Sequence, residues 1–131
     1  MANLFISHSW KYNNQYEGLK KLLENNGYEY RDYSVPESKP ITDAESDKQL
    51  EQAIEQKMKY SSVVLIMAGV YSTYSKWINK EIVIAQRLGK PIIAIEPYAS
   101  ERTSSVVKNA ADEVCGWNTR SIVNAIDKLT K

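Results

Sequence analysis

The segment YSTYSKWINKEI, residues 71–82, places a tryptophan, Trp77, four residues ahead of a single glutamate, Glu81. On a helix, positions i and i+4 lie on one face a turn apart, so indole and carboxylate become neighbours if this segment is helical. A carboxylate beside an indole and apolar strand ends is partly stripped of water, which strengthens its pull on developing positive charge. Cleavage of an N-glycosidic bond to ribose develops such charge, in an oxocarbenium-like sugar. Sugar hydrolysis usually employs two carboxylates, one of which protonates the leaving group. A cationic nicotinamide leaves without protonation, so one carboxylate suffices for it. The competing reading is structural: a glutamate in the first turns of a helix is favoured by the helix dipole and usually solvated, and a tryptophan usually packs.

Other chemistries lack their residues. Ser7 and His8 are adjacent at the end of an apolar run. Neighbours on a strand point to opposite faces, which disfavours a hydrolase triad built on that pair. A phosphoacceptor site on this kind of scaffold needs carboxylates after the first and third strands. Here those places hold Ser7-His8 and Met67-Ala68-Gly69. The five glycines form no phosphate-cradling cluster. Cys115, the single cysteine, sits among apolar residues and reads as a buried bystander. With His8 as the single histidine, no histidine- or cysteine-built metal centre is expected.

The elements that must position Glu81 follow from hydrophobic periodicity. Residues 3–7 (NLFIS) read as a compact strand. Tyr12, Tyr16, Leu19 and Leu23 recur at helical spacing, and Asn26-Gly27 is a helix stop. Residues 28–34 alternate as an edge strand, and a proline-bearing loop spans residues 35–45. Ser46 and Gln49 resemble a capping box ahead of a helical face at Leu50, Ala53, Ile54 and Met58. Residues 62–68 (SVVLIMA) are apolar on both faces, as a central parallel strand requires. Ser75 is placed to cap a helix running to Leu88, with Gly89 as its stop. Residues 91–95 and 112–116 read as the last strands, and Ile122, Ile126 and Leu129 anchor a final helix.

Strand–helix alternation predicts an α/β fold: a flavodoxin-like three-layer sandwich, one domain over residues 1–131, with a five-stranded parallel sheet in the order 2-1-3-4-5. In such sheets ligands bind where the strand order reverses, at the carboxyl ends of strands 1 and 3. Residues 7–10 and 69–76 should meet there, and the second of these leads into Glu81.

Bulk properties narrow the partners. A formal net charge of +1 with interspersed signs gives no basic stripe for nucleic acid. No apolar run approaches about 18 residues and no signal-peptide pattern opens the chain, so a cytoplasmic protein without membrane contact is expected.

Three stretches, NLFISHSW, YRDYSVP and YSTYSKWINKEI, resemble in order and spacing the three boxes of TIR domains. The similarity is closest to the TIR-like branch in bacterial antiphage systems of the Thoeris type, and it spans essentially the whole chain. The resemblance implies an NAD glycohydrolase or ADP-ribosyl cyclase, with NAD as substrate and no cofactor. It implies that a cyclic ADP-ribose-type product acts as a nucleotide signal on a separate effector protein. By position, Glu81 would be the catalytic carboxylate. Phe5, Ser7 and His8 would line the ribose and phosphate side, and Tyr74 and Trp77 the nicotinamide side. Residues 34–41 would correspond to a loop that closes over substrate and mediates domain–domain contacts, with self-association among the expected partnerships. Two other functions fit the same features: a non-catalytic interaction module, and a nucleoside deoxyribosyltransferase-like enzyme with a comparable crevice and glutamate.

Overall fold

A computed structural model describes residues 2–7, 14–33, 47–69, 76–96 and 104–130. The described chain alternates β1 (Ala2–Ser7), α1 (Asn14–Asn25), β2 (Tyr30–Asp32), α2 (Asp47–Met58), β3 (Val63–Met67), α3 (Lys76–Leu88), β4 (Ile92–Ile95), α4 (Ser105–Ala110), β5 (Glu113–Cys115) and α5 (Thr119–Thr130). All four strand pairings are parallel and the sheet order is β2-β1-β3-β4-β5. This is the flavodoxin-like order expected from the sequence.

Alternation along the strands sorts the core into two layers. Phe5, Val64, Ile66, Ala68, Ile92 and Ala94 face α2, α3 and α4, meeting Ile54 and Met58 of α2 and Ile78, Ile82 and Ala85 of α3. Leu4, Ile6, Val63, Leu65, Met67, Ile93 and Ile95 face the other way, against Leu19 and Leu23 of α1 and Ile122 and Ile126 of α5. Every residue of β3 and β4 is buried, because both strands have neighbours on each edge and helices on each face. Each fully buried side chain of this size contributes about 1.5–3 kcal/mol before entropy is charged against it.

Two helices end where glycine interrupts the apolar pattern. Gly89 adopts a φ of 70°. Its N–H donates to the Gln86 carbonyl at 3.2 Å, and the Lys90 N–H donates to the Ala85 carbonyl at 2.9 Å. That pair of bonds is a Schellman stop, which requires the left-handed conformation that glycine adopts without a Cβ clash. Gly27 ends α1 in the same way, at a φ of 73°. β2 is shorter than expected: three residues, half-exposed to exposed, at the sheet edge. The proposed caps Ser46 and Ser75 lie outside the described residues, as do Tyr12 and the loop at residues 34–41.

Candidate active site

α3 brings Glu81 to the sheet. Ile78, Ile82 and Ala85 form its buried i, i+4, i+7 stripe, and Glu81 lies within that stripe, three residues from Ile78. The residue is 1% exposed. Its Oε2 is shielded from solvent. The carboxylate is therefore more deeply buried than the partial dehydration expected from spacing. The reason is positional: a helix in a doubly wound fold turns one stripe to the sheet, and this glutamate is on the centre of that stripe.

Height along the helix matters as much as facing. Right-handed crossovers make α3 run antiparallel to β3, so its first turn is at the carboxyl ends of the strands. Glu81 is five residues after Lys76, about 7.5 Å along the axis at 1.5 Å per residue. It belongs to the upper half of the helix, toward the strand-order switch between β1 and β3.

The sheet presents a second buried polar group on the same side. Ser7 ends β1 and pairs with Ile66 of β3. Strand alternation gives it the facing of Phe5, toward α2 and α3. It is fully buried, and its hydroxyl finds no hydrogen-bond partner among the described residues. A buried hydroxyl without a partner costs about 1–3 kcal/mol, so its retention in a mostly apolar layer marks the place chemically. Ser7 and Glu81 thus enter the same layer from opposite sides, one from the strand end and one from the helix.

The other sequence candidates divide. Phe5 is completely buried in the core layer that also holds Ile78 and Ile82, a packing position beneath the strand ends. Trp77 is in α3, but its side chain lies outside the described residues, as do His8 and Tyr74 entirely. Cys115 is buried at the far edge of the sheet, where its thiol meets the Ser121 carbonyl at 3.5 Å. Burial, and then the charge of Glu113, pushes that thiol up from its ordinary range, which makes it a poor nucleophile.

One contact near Glu81 had no sequence signal. Lys80 reaches Glu51 of α2, 29 positions away, with 3.0 Å between Nζ and Oε1. Arg87 and Glu55 repeat the pairing two turns on, at 3.4 Å. The two ion pairs bridge α3 and α2 beside the buried stripe that turns Glu81 inward.

Among the described residues no group of three or more histidine, cysteine or acidic side chains could hold a metal ion. No described helix is long and apolar enough to cross a membrane.

Comparison with known proteins identifies the scaffold. The family model of the Thoeris protein ThsB, TIR-like domain, matches residues 5–102. The chain belongs to this family. Its match runs from β1 through α3 and β4, so Ser7 and Glu81 of this TIR-like domain both fall inside it. No curated protein matches the sequence. Solved structures similar to the TIR-like domain include the following two. One is the CMP N-glycosidase BcmB of Clostridium botulinum, at 16% identity and a TM-score of 0.57, covering 96% of this chain and 98% of that chain. The other is a 3-dehydroquinate dehydratase-like protein from Bifidobacterium longum, at 14% identity and a TM-score of 0.47, covering 98% of this chain and 94% of that chain. At such identities the first likeness is one of fold.

Proposed function

We propose that this TIR-like domain cleaves the nicotinamide–ribose bond of NAD and closes the ADP-ribose fragment into a cyclic nucleotide, which signals to a separate antiphage effector. Burial of Glu81 in the sheet-facing stripe of α3 carries this reading. A carboxylate in that place has no packing value that leucine would not exceed, and an acid so deeply buried toward the strand-order switch is a candidate for chemistry.

The chemistry asked of it is modest. The bond between C1′ of the ribose and the pyridinium nitrogen breaks, and its electron pair neutralises the nicotinamide. The sugar becomes oxocarbenium-like, and Glu81 faces that charge while accepting hydrogen bonds from ribose hydroxyls. Capture by water gives ADP-ribose. Capture by a nucleophilic atom of the same ADP-ribose gives the cyclic product, and either route releases one proton. Fixed negative charge aimed at a developing cation in a water-poor layer is worth about 3–4 kcal/mol of barrier.

The experiment is nicotinamide release from NAD by the purified chain, with wild type compared with Glu81→Gln and with CMP as a second substrate. The expected result is nicotinamide from wild type, almost none from Glu81→Gln, and no cytosine from CMP. Equal nicotinamide rates from both proteins would remove Glu81 from the mechanism. Cytosine release without NAD loss would transfer the chemistry to nucleotide N-glycosidase substrates, such as the one named for the Clostridium botulinum protein. Mass analysis of the products distinguishes the cyclic nucleotide from linear ADP-ribose.

A further inference from the structure

Charge is unevenly placed around the β2 edge. On the α1 side, Tyr28 and Tyr30 stack with ring centroids 6.1 Å apart and 21° between planes. They line a surface cavity of about 340 Å³ together with Glu24, Glu29, Asp32 and Lys20. Lys20 stands 3.9 Å from Asp32, which leaves the lining net negative. The tyrosine hydroxyls sense that field. Burial and then Asp127 push Tyr28 up, while burial and then Glu24, Asp32 and Glu17 push Tyr30 up.

The α2 side has the opposite character. Tyr60 is 60% exposed, the most exposed large apolar side chain described. Its ring stacks on Tyr33 at 6.3 Å, and the Lys59 ammonium stands 5.2 Å from its centroid. Lys57 is exposed on the preceding turn. Lys90 closes the group by donating to the Lys59 carbonyl at 3.2 Å. An exposed aromatic plate with one ammonium over its ring and two more lysines nearby in the chain or bonded to its neighbour is what the acidic, tyrosine-lined cavity would receive.

Both surfaces flank one strand. Tyr30 and Asp32 point to the α1 side and Tyr33 to the α2 side, as alternation on β2 dictates. Among the described residues β2 is the edge strand of the sheet. A two-fold axis beside β2 and parallel to the strands exchanges the two faces of the sheet and preserves its ends. It therefore sets the acidic side of one copy against the basic side of the other, and does so twice.

We propose that a second copy of this chain docks across the β2 edge, with Tyr60 and its lysines seated against the Tyr28–Tyr30 cavity of the partner copy. The occupant is a second copy because both halves of the complementarity are carried by one chain, on the two sides of one edge strand. The contact is electrostatic at its rim, so it weakens with salt.

The test is the mass of the intact chain in solution at low and high salt, by light scattering or sedimentation. Wild type is expected at twice the 15.0 kDa chain mass at low salt. Lys57→Glu with Lys59→Glu, and separately Glu24→Lys with Glu29→Lys, should each fall to the single-chain mass. Mixing these two variants in equal amounts should restore the doubled mass, since both contacts are then complementary. All four residues are exposed, so the reversals leave the core intact, and Tyr60→Ser supplies a variant without charge change. A wild type of single-chain mass across salt and concentration would overturn the proposal. So would a dimer indifferent to the reversals.

Discussion

Lys80 Nζ stands 3.0 Å from Glu51 Oε1, joining α3 to α2 at the residue immediately before Glu81. The lysine side chain is 15% exposed and the glutamate 42%, so water screens the pair from one side. Its contribution to stability is about 0.5–1 kcal/mol. Glu51→Gln should therefore lower the melting temperature by only a few degrees, while freeing α3 to rotate by a fraction of a turn. Nicotinamide release is expected to fall further than stability does, about 3-fold to 10-fold, because small misplacements of a reacting group are costly. A double-mutant cycle with Lys80→Met, read by thermal denaturation and by turnover, isolates the coupling.

Glu81 itself should show a divergence between activity and stability. Glu81→Gln preserves shape and removes charge, and Glu81→Met removes polarity as well. Both are expected to fold, and Glu81→Gln should keep close to wild-type stability in urea, because the amide fills the same place in the stripe formed with Ile78, Ile82 and Ala85 and retains an oxygen acceptor. Turnover should drop by about 100-fold to 1,000-fold in each. A Glu81→Gln protein with a strongly lowered urea midpoint would mean that the carboxylate is structural, and the case for its use in chemistry would weaken.

The scaffold around that residue was legible because its signals are redundant. In β3, VVLIM is apolar on both faces and lies between two helical patterns, so a central parallel strand satisfies length, composition and neighbours together. Gly27 and Gly89 announced the helix stops because a Schellman turn needs a positive φ. β2 was overestimated: an edge strand has one pairing partner, and its alternation of tyrosine and charge continues past the three paired residues. For the site, the facing of Glu81 could be anticipated from helical spacing, but its depth could not. Depth depends on where the stripe meets the sheet, which residues far apart in sequence decide together. The orphaned Ser7 hydroxyl carries no signal of its own, since a serine ending a strand has the same letter whether it is solvated or buried.

Alkaline pH should destabilise the fold through its tyrosines. Tyr28 and Tyr30 have hydroxyls raised above the ordinary 10.0, in both cases first by burial and then by neighbouring carboxylates. In the unfolded chain they ionise near 10, whereas in the folded chain they keep their protons to higher pH. The folded state therefore binds more protons above pH 10, and stability falls as pH rises through that point. Below pH 10 both states are protonated and the contribution is fully present. Urea midpoints measured between pH 9 and pH 11 should decline, and Tyr30→Phe should flatten the decline. The phenolate absorbance of native protein should lag that of denatured protein over the same interval.

Cys115 offers a probe of the opposite edge of the sheet. Its thiol is 6% exposed, and burial first, then Glu113, keeps it protonated to higher pH. Since the thiolate is the reactive form, a thiol reagent at pH 7.5 should modify native protein far more slowly than a free cysteine, and the lag should vanish in urea. In native conditions the labelling rate then reports how often β5 parts from α5. Thr119 of α5 is tied back to α1 through the Leu22 carbonyl at 3.1 Å and the Asn26 amide at 3.0 Å, so Thr119→Ala should raise the labelling rate by about 5-fold to 10-fold if those bonds hold the corner closed. Rapid labelling of wild type would show that this corner opens on its own, independently of Thr119. Cys115→Ala should leave nicotinamide release unchanged, because the thiol and Glu81 are on opposite layers of the sheet.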